Sequence, residues 1–388
     1  MRRVQARVNL GAIERNCARL RAELGGTSAL CAVVKADAYG HGAVPVARAA
    51  LAGGARWLAV ADGREAAELR AAGIEAPRVL VMGLLSDEEL REALAAGGEV
   101  VVWSEEQLGA VADAGGGRVH VKLDTGMGRL GTRDVDEADR VAAAARAREG
   151  IELAGLMTHF ATADELDDGG FFDGQIERFE RWVARQRAIQ PDLVVHAANS
   201  GATLRSARTH MDMVRCGVAI YGMDPFGVDP DRHALEPALT LESWVGEVKV
   251  AAPGQSAGYG RRFVAERPTQ IGVLPVGYGD GWRRGLSNNA DVLVDGRRRA
   301  LVGTVSMDSV TIDLGSEQAA SGLRGARATL IGAQDGERIL AEEIARRLQT
   351  INYEVTCGLT ARVPRLHHRD GTELAPDGSV ALPVAGGT

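Results

Sequence analysis

Apolar positions in the first part of the chain alternate between two textures. Short runs rich in valine, leucine and alanine occur at 29–34, 57–61, 79–82, 100–103, 119–123, 153–158, 193–197 and 213–221. Between most of them the apolar positions take the i, i+3, i+4 spacing of a helix with one buried face, at 63–72, 87–96, 135–148 and 175–189. A further helix is expected near the start, over about 10–25. Strands alternating with helices predict βα units and a parallel sheet. Eight such strands within roughly 220 residues have the count and size of a (β/α)8 barrel, with a doubly wound sheet as the alternative.

Past residue 231 the texture changes. Period-two alternation at 245–250, 270–275, 291–294, 300–305, 310–314 and 328–331 is punctuated by the turns Asp295-Gly296 and Asp335-Gly336. This predicts a mostly-β second domain with one helix over 340–348. The proline-bearing stretch 224–237 is the expected junction, which gives domains at 1–232 and 233–388. The residues from Pro376 onward read as a loose tail.

Composition narrows the function classes. The chain has 388 residues, 45% apolar and 25% charged, which is ordinary for a folded globular protein of two or three domains. A net charge of -7 argues against nucleic acid or an anionic membrane as partner. No apolar run reaches the ~18 residues of a membrane span, and no apolar stretch follows the basic N-terminus as a secretory signal requires. Cys17, Cys31, Cys216 and Cys357 form no Cys-x-x-Cys, so neither a disulfide framework nor a metal site is expected, and a reducing cytoplasm is.

Lysine usage is the first lead to chemistry. Of 45 basic residues only Lys35, Lys122 and Lys249 are lysine. Arginine stays charged, whereas a buried lysine can lose its proton and act as a nucleophilic amine. Lys35 closes an apolar strand in Val33-Val34-Lys35-Ala36-Asp37-Ala38-Tyr39-Gly40-His41-Gly42, where desolvation lowers its pKa; a lysine snorkelling to solvent is the plainer alternative. Other strand ends carry Lys122, His159, Asn199-Ser200 and Arg215. Local roles (Asn199-Ser200 as a helix cap, Arg215 in an ion pair) would account for any one of them. Five at matching points of separate βα units mark the functional end of a barrel.

The stretch Lys122-Leu123-Asp124-Thr125-Gly126-Met127-Gly128-Arg129-Leu130-Gly131 also contains the dinucleotide-binding pattern G-x-G-x-x-G after a strand. A dehydrogenase is therefore a competing reading. Four strands precede this one, however, whereas the fingerprint normally opens its domain, and it gives Lys35 nothing to do.

Taken together, the Lys35 and Lys122–Gly131 segments, Thr158-His159-Phe160-Ala161-Thr162-Ala163-Asp164, His196-Ala197-Ala198-Asn199-Ser200, Val214-Arg215-Cys216-Gly217, Tyr259-Gly260, Gly277-Tyr278-Gly279-Asp280-Gly281, Gly303-Thr304-Val305-Ser306-Met307-Asp308 and Asn352-Tyr353-Glu354-Val355 resemble the alanine racemase family. The resemblance runs in order over about residues 5–366. It implies an N-terminal TIM barrel, a C-terminal β domain, bound pyridoxal 5′-phosphate, alanine as substrate and a homodimer with shared sites. It further implies that Lys35 holds the cofactor and that Tyr39, Ser200, Gly217, Val218 and Tyr353 cradle its phosphate, with His159 and Asn199 also at the cofactor. Arg215 would face the pyridine nitrogen, Tyr259 of the neighbouring subunit would be the second base, and Arg129 and Met307 would position the substrate carboxylate. Tyr278 and Asp308 would support the mouth of the site, and Lys122 would be a lysine often carbamylated in this family. Cys216, Ala257-Gly258 and Ser306 depart from the family's usual residues without removing a reacting group.

Racemisation removes the α-proton on one face and returns one on the other, so two bases must flank the carbon; Lys35 and Tyr259 fit those roles. Tyrosine, with a reference pKa of ~10, needs its phenolate stabilised, which His159 and Arg215 could do. Two further readings share the barrel. A decarboxylase of basic amino acids would show an acid in place of Arg215 and a catalytic cysteine, for which only Cys357 is available. A non-enzymatic cofactor carrier would need no second domain.

Overall fold

The structure, a computed structural model, describes residues 2–316 and 322–374. The expected tail from Pro376 lies outside the described residues. In chain order the first half contains β1 (Gln5–Asn9), α1 (Leu10–Glu23), β2 (Ala29–Val33), the turn α2 (Lys35–Gly40), α3 (Ala43–Ala52), β3 (Trp57–Val60), α4 (Gly63–Ala71), β4 (Arg78–Val81), α5 (Asp87–Ala95), β5 (Gly98–Val102) and α6 (Glu105–Asp113). It continues through β6 (Gly117–Lys122), α7 (Val135–Ala147), β7 (Ile151–Met157), α8 (Phe171–Arg187), β8 (Val194–His196), α9 (Ser200–Arg205) and β9 (Met213–Cys216). Strands β2 to β9 pair in parallel and in order, and β9 closes on β2 through Ala29↔Met213 to Ala32↔Cys216. The barrel, not the doubly wound sheet, is the architecture.

The strands read as continuous apolar runs because both faces are covered: β3 and β5 are buried at every position. Capping residues just past the strands start the helices. Asp62 accepts from Glu65 N, Ser104 from Gln107 N, and Ser86 with Glu89 forms a capping box. Each such cap contributes about 1 kcal/mol and fixes where chain turns from strand to helix.

The second half holds β10 (Leu239–Trp244), β11 (Glu247–Ala251), β12 (Ser256–Ala257), β13 (Phe263–Val264), β14 (Thr269–Leu274), β15 (Asp291–Val294), β16 (Arg297–Val302), β17 (Val310–Gly315), β18 (Arg327–Gln334), β19 (Glu337–Ile339), α10 (Ala341–Leu348), α11 (Asn352–Cys357), β20 (Arg365–Arg369) and β21 (Thr372–Glu373). Its large sheet runs β11-β14-β17-β16-β15-β18-β10-β1-β20-β21, with β19 on β18, and β12 and β13 form a separate hairpin.

Two sequence expectations change. The chain does not divide cleanly at 232, because β1 sits in the second sheet, antiparallel to β10 and parallel to β20. The strand expected over 213–221 stops at Cys216, since Gly217 leaves the extended region (φ -104, ψ -89) and Val218–Tyr221 coils into a 3₁₀ turn. The main apolar core nonetheless runs from the barrel into the sheet, joining Ile13 and Leu58 to Leu293 and Ile312, with a small second cluster at Ala251, Ala265, Ile271 and Val302. A large opening lies where the barrel's C-terminal strand ends meet α11.

Candidate active site

That opening is a cavity of about 560 Å³. Lys35 and Tyr39 enter it from α2, Lys122 from the last position of β6, Arg129 from the loop beyond, and His159 from just past β7. Asn199 and Ser200 come from the turn after β8, and Arg215, Gly217 and Val218 from β9 and the turn that follows. Tyr353 reaches in from α11 of the second half.

α2 is a left-handed turn. Ala36, Asp37, Ala38 and Tyr39 have φ of 51–54° and ψ of 36–52°. Such a conformation costs roughly 1–2 kcal/mol for each residue that is not glycine. It is held from several sides. Glu65 accepts from Ala36 N at 2.6 Å, Asp37 from Ala43 N at 2.8 Å, and Arg365 Nε donates to Gly40 O at 2.9 Å. The His41 ring nitrogen Nδ1 meets Ala38 O and Tyr39 O, both at 3.0 Å. The result sets Lys35 and Tyr39, four residues apart, on one cavity.

Burial, reinforced by Arg129, lowers the Lys35 pKa. Burial also lowers Lys122, with help from Arg215 and Arg129, to about 8. Lys249 is different: it lies exposed on β11, away from both. Tyr39 and Tyr353, with ring centres 5.8 Å apart, have their phenols pushed up by burial and so stay neutral donors. Ser200 Oγ accepts from Gly217 N at 3.0 Å and from Ala219 N at 3.3 Å. Gly217 must lack a side chain, because a Cβ there would stand 2.4 Å from the Tyr39 hydroxyl. Asn199 does cap a helix, its side chain accepting from Ala202 N at 2.9 Å.

Arg215 makes no ion pair among the described residues. Instead NH1 donates to His196 Nδ1 at 2.8 Å, and NH2 is shared among Thr158 O, Ala197 O and His159 Nδ1, each at 3.0 Å. Burial lowers its pKa to about 10, which leaves it a cation. Burial and the Arg215 charge hold His159 far below its ordinary pKa, hence neutral. Since His159 Nδ1 accepts from arginine, its proton sits on Nε2.

The glycine-rich loop does not form a dinucleotide site. Asp124 accepts from Gly126 N at 3.0 Å and from Gly128 N at 2.9 Å, so these amides close on the chain's own carboxylate. No helix opens until Val135. The dehydrogenase reading fails on this geometry.

Four residues singled out in the sequence stay out of the cavity. Tyr259, at the tip of the β12–β13 hairpin, is 73% exposed, and Met307 and Tyr278 are also exposed. Thr304 donates to Tyr259 O at 2.7 Å, Tyr278 N to Ser306 O at 3.0 Å, and Asp308 pairs with Arg362. They share one region of the second half's surface. Sequence reasoning considered Cys357 only under the decarboxylase alternative; it lines the cavity, with its thiol pKa raised by burial. The missing signal was α11: Tyr353 and Cys357 are i and i+4 on that helix.

Comparison with known proteins gives a consistent answer. Residues 8–225 match the alanine racemase N-terminal domain and 238–367 the alanine racemase C-terminal domain. Alanine racemase 1 of Bacillus subtilis (strain 168) is 41% identical, over 95% of this chain and 93% of its own. The alanine racemase of Geobacillus stearothermophilus is 41% identical, over 94% of this chain and 93% of its own. Among solved structures, alanine racemase from the D-cycloserine producer Streptomyces lavendulae superposes with a TM-score of 0.87 at 37% identity, covering 94% of this chain and 97% of the other. The Bacillus anthracis alanine racemase with bound L-Ala-P gives 0.89 at 35% identity and covers 97% of each.

Proposed function

This chain belongs to the alanine racemase family, and from that premise we propose that it interconverts L- and D-alanine with pyridoxal 5′-phosphate, using Lys35 and Tyr259 as opposed bases. The observation that carries the reading is the pairing of Lys35, its pKa lowered by burial, with an arginine, Arg215, in one cavity. A decarboxylase would need a carboxylate in Arg215's place.

The residues present fit the cofactor. Tyr39, Ser200 and Tyr353 offer neutral hydroxyls for a phosphate, and the missing Cβ of Gly217 lets the Tyr39 hydroxyl come close to the backbone there. Val218 opens a 3₁₀ turn; Ser200 Oγ takes the Gly217 and Ala219 amides, which leaves the Val218 N–H for an anion. When bound, the cofactor supplies the electron sink that acidifies the substrate's α C–H. Lys35 then moves the proton on one face and Tyr259 on the other. His159 offers its Nε2–H to the Tyr259 phenolate, while Arg215 keeps His159 neutral and oriented. Arg129 and Met307 hold the substrate carboxylate, and Tyr278 and Asp308 flank the entrance. Lys122, part of its amine unprotonated near neutral pH, takes up CO2 as a carbamate that pairs with Arg129.

Tyr259, Met307, Tyr278 and Asp308 stand outside this chain's own cavity, which supports a homodimer in which each second domain completes the other site. The product D-alanine suits peptidoglycan synthesis in the cytoplasm. Among the described residues no helix is long and apolar enough to cross a membrane. Incubating the purified protein with L-alanine and resolving the enantiomers on a chiral column should give equal amounts of both at equilibrium. Enantiopure alanine recovered unchanged, with cofactor supplied, would reject the activity.

Gly217→Ala tests the cradle. The added methyl forces Tyr39 aside, so pyridoxal 5′-phosphate should bind about tenfold or more weakly in an absorbance titration, from loss of a hydrogen bond to an anion. Affinity equal to the parent protein would mean the phosphate lies elsewhere.

A further inference from the structure

Arg215 is a buried cation with no carboxylate beside it, and the barrel interior shows where the matching charge lies. Behind it the hydrogen bonds continue: His196 Nε2 meets His120 Nδ1 at 2.8 Å, and His120 Nε2 meets a Glu99 carboxylate oxygen at 2.9 Å. Glu99 is also gripped by Arg78, whose NH2 lies 2.6 Å from the same oxygen and whose Nε bonds the other. Both imidazoles are fully buried, and burial lowers the pKa of each, so both are neutral. Burial pushes the Glu99 carboxyl up, but His120 and Arg78 outweigh it and hold it at about 2, so it is ionised. Arg78 and Glu99 stand at the beginnings of β4 and β5, whereas His196 closes β8 near the cavity. The chain of four groups therefore runs the length of the barrel.

The space for it is built in. Val119 and His120 straddle a register shift in the β6–β7 pairing that sets His120 opposite Gly155. A Cβ on Gly155 would stand 2.4 Å from His120 Nδ1.

We propose that Glu99 is a positioning residue for the racemisation: its carboxylate fixes the direction of the His120–His196 chain and through it holds Arg215 toward the cavity. A carboxylate only accepts, so His120 must carry its proton on Nε2 and leave Nδ1 bare. His196 Nε2–H then donates to His120, which leaves His196 Nδ1 bare to accept from Arg215. With NH1 and NH2 so engaged, Nε–H keeps no protein partner among the described residues and Arg215 presents an edge to the cofactor's ring. Reversing the chain would put His196 Nδ1–H against the Arg215 N–H, donor against donor, and push the guanidinium out of place. This rests on the reading of Arg215 as the residue facing the pyridine nitrogen.

Glu99→Leu takes away the acceptor that sets the chain's direction. With no oxygen left to accept from His120 Nε2–H, only Arg215 still favours the wild-type direction, and the reversed chain becomes populated. In ¹⁵N-histidine NMR of the holoenzyme, wild-type His196 should be protonated at Nε2 and bare at Nδ1, and Glu99→Leu should show a population of the opposite tautomer. The absorption maximum of the bound cofactor should shift. kcat should fall about tenfold while KM stays within about twofold, since the reacting groups are intact but the ring's partner is misplaced. His120→Phe, which breaks the chain and leaves Glu99 charged, should give the same spectral shift. Should Glu99→Leu not fold, the wild-type tautomers and His120→Phe still decide. Wild-type His196 protonated at Nδ1, or variants with unshifted cofactor absorption, would overturn the proposal. Wild-type protein that neither binds the cofactor nor forms D-alanine would instead reject the functional reading, with the tautomers still readable.

Discussion

Lys35→Ala should yield a folded protein with no measurable racemisation in either direction. The side chain is asked to carry the cofactor and to move the proton on one face, and no other lysine can replace it. Lys122 ends a different strand, and Lys249 lies exposed in the second sheet. Loss of a general base alone costs about 10²–10⁴-fold, and loss of the covalent attachment adds to it, so rates should drop by at least ~10⁴. The fold should survive, because the side chain projects into a cavity rather than into packed core, and the cradle residues can still retain cofactor noncovalently. Chiral assays from both enantiomers, with thermal unfolding as control, read the effect. Activity within tenfold of the parent protein would remove Lys35 from the chemistry.

Tyr259→Phe should lower racemisation by about 10²–10⁴-fold while leaving cofactor binding and fold intact, since one exposed hydroxyl is lost. Exchange of the α-proton with solvent should survive better from the enantiomer that Lys35 deprotonates, which the family resemblance makes D-alanine. The same variant tests quaternary structure. In an equal, randomly exchanged mixture of Lys35→Ala and Tyr259→Phe chains, half the dimers are mixed and each has one site with both bases intact. Activity should therefore return to about a quarter of the parent level. If both bases came from one chain, no mixed dimer would have a whole site. No recovery, with subunit exchange verified by mass, would then reject the shared site.

Much of the barrel was legible because covered parallel strands must be apolar on both faces, as Trp57–Val60 is. The strand ends of the site were legible for a different reason: lysine is so scarce here that Lys35 and Lys122 stand out. What was hidden depends on distant partners. The segment Gln5–Asn9 joins strands that begin at Leu239 and Arg365, and no local pattern announces that. The left-handed turn after β2 has only Ala, Asp and Tyr at its strained positions, so propensity argues against it; Glu65, His41 and Arg365 impose it from outside and Asp37 braces it from within. Glu99 and His120 did leave a trace. A carboxylate inside the buried run Gly98–Val102 and a histidine inside Gly117–Lys122 are costly unless paired, and each is the other's partner.

Borohydride reduction of the holoenzyme, followed by peptide mapping, asks directly which amine bears the cofactor. Reduction should fix the cofactor's mass to one site per chain, on the peptide containing Lys35, with the visible absorption lost in step with racemase activity. Label recovered at Lys122 or Lys249, or activity that persists after Lys35 is fully modified, would contradict the assignment on which the catalytic roles rest.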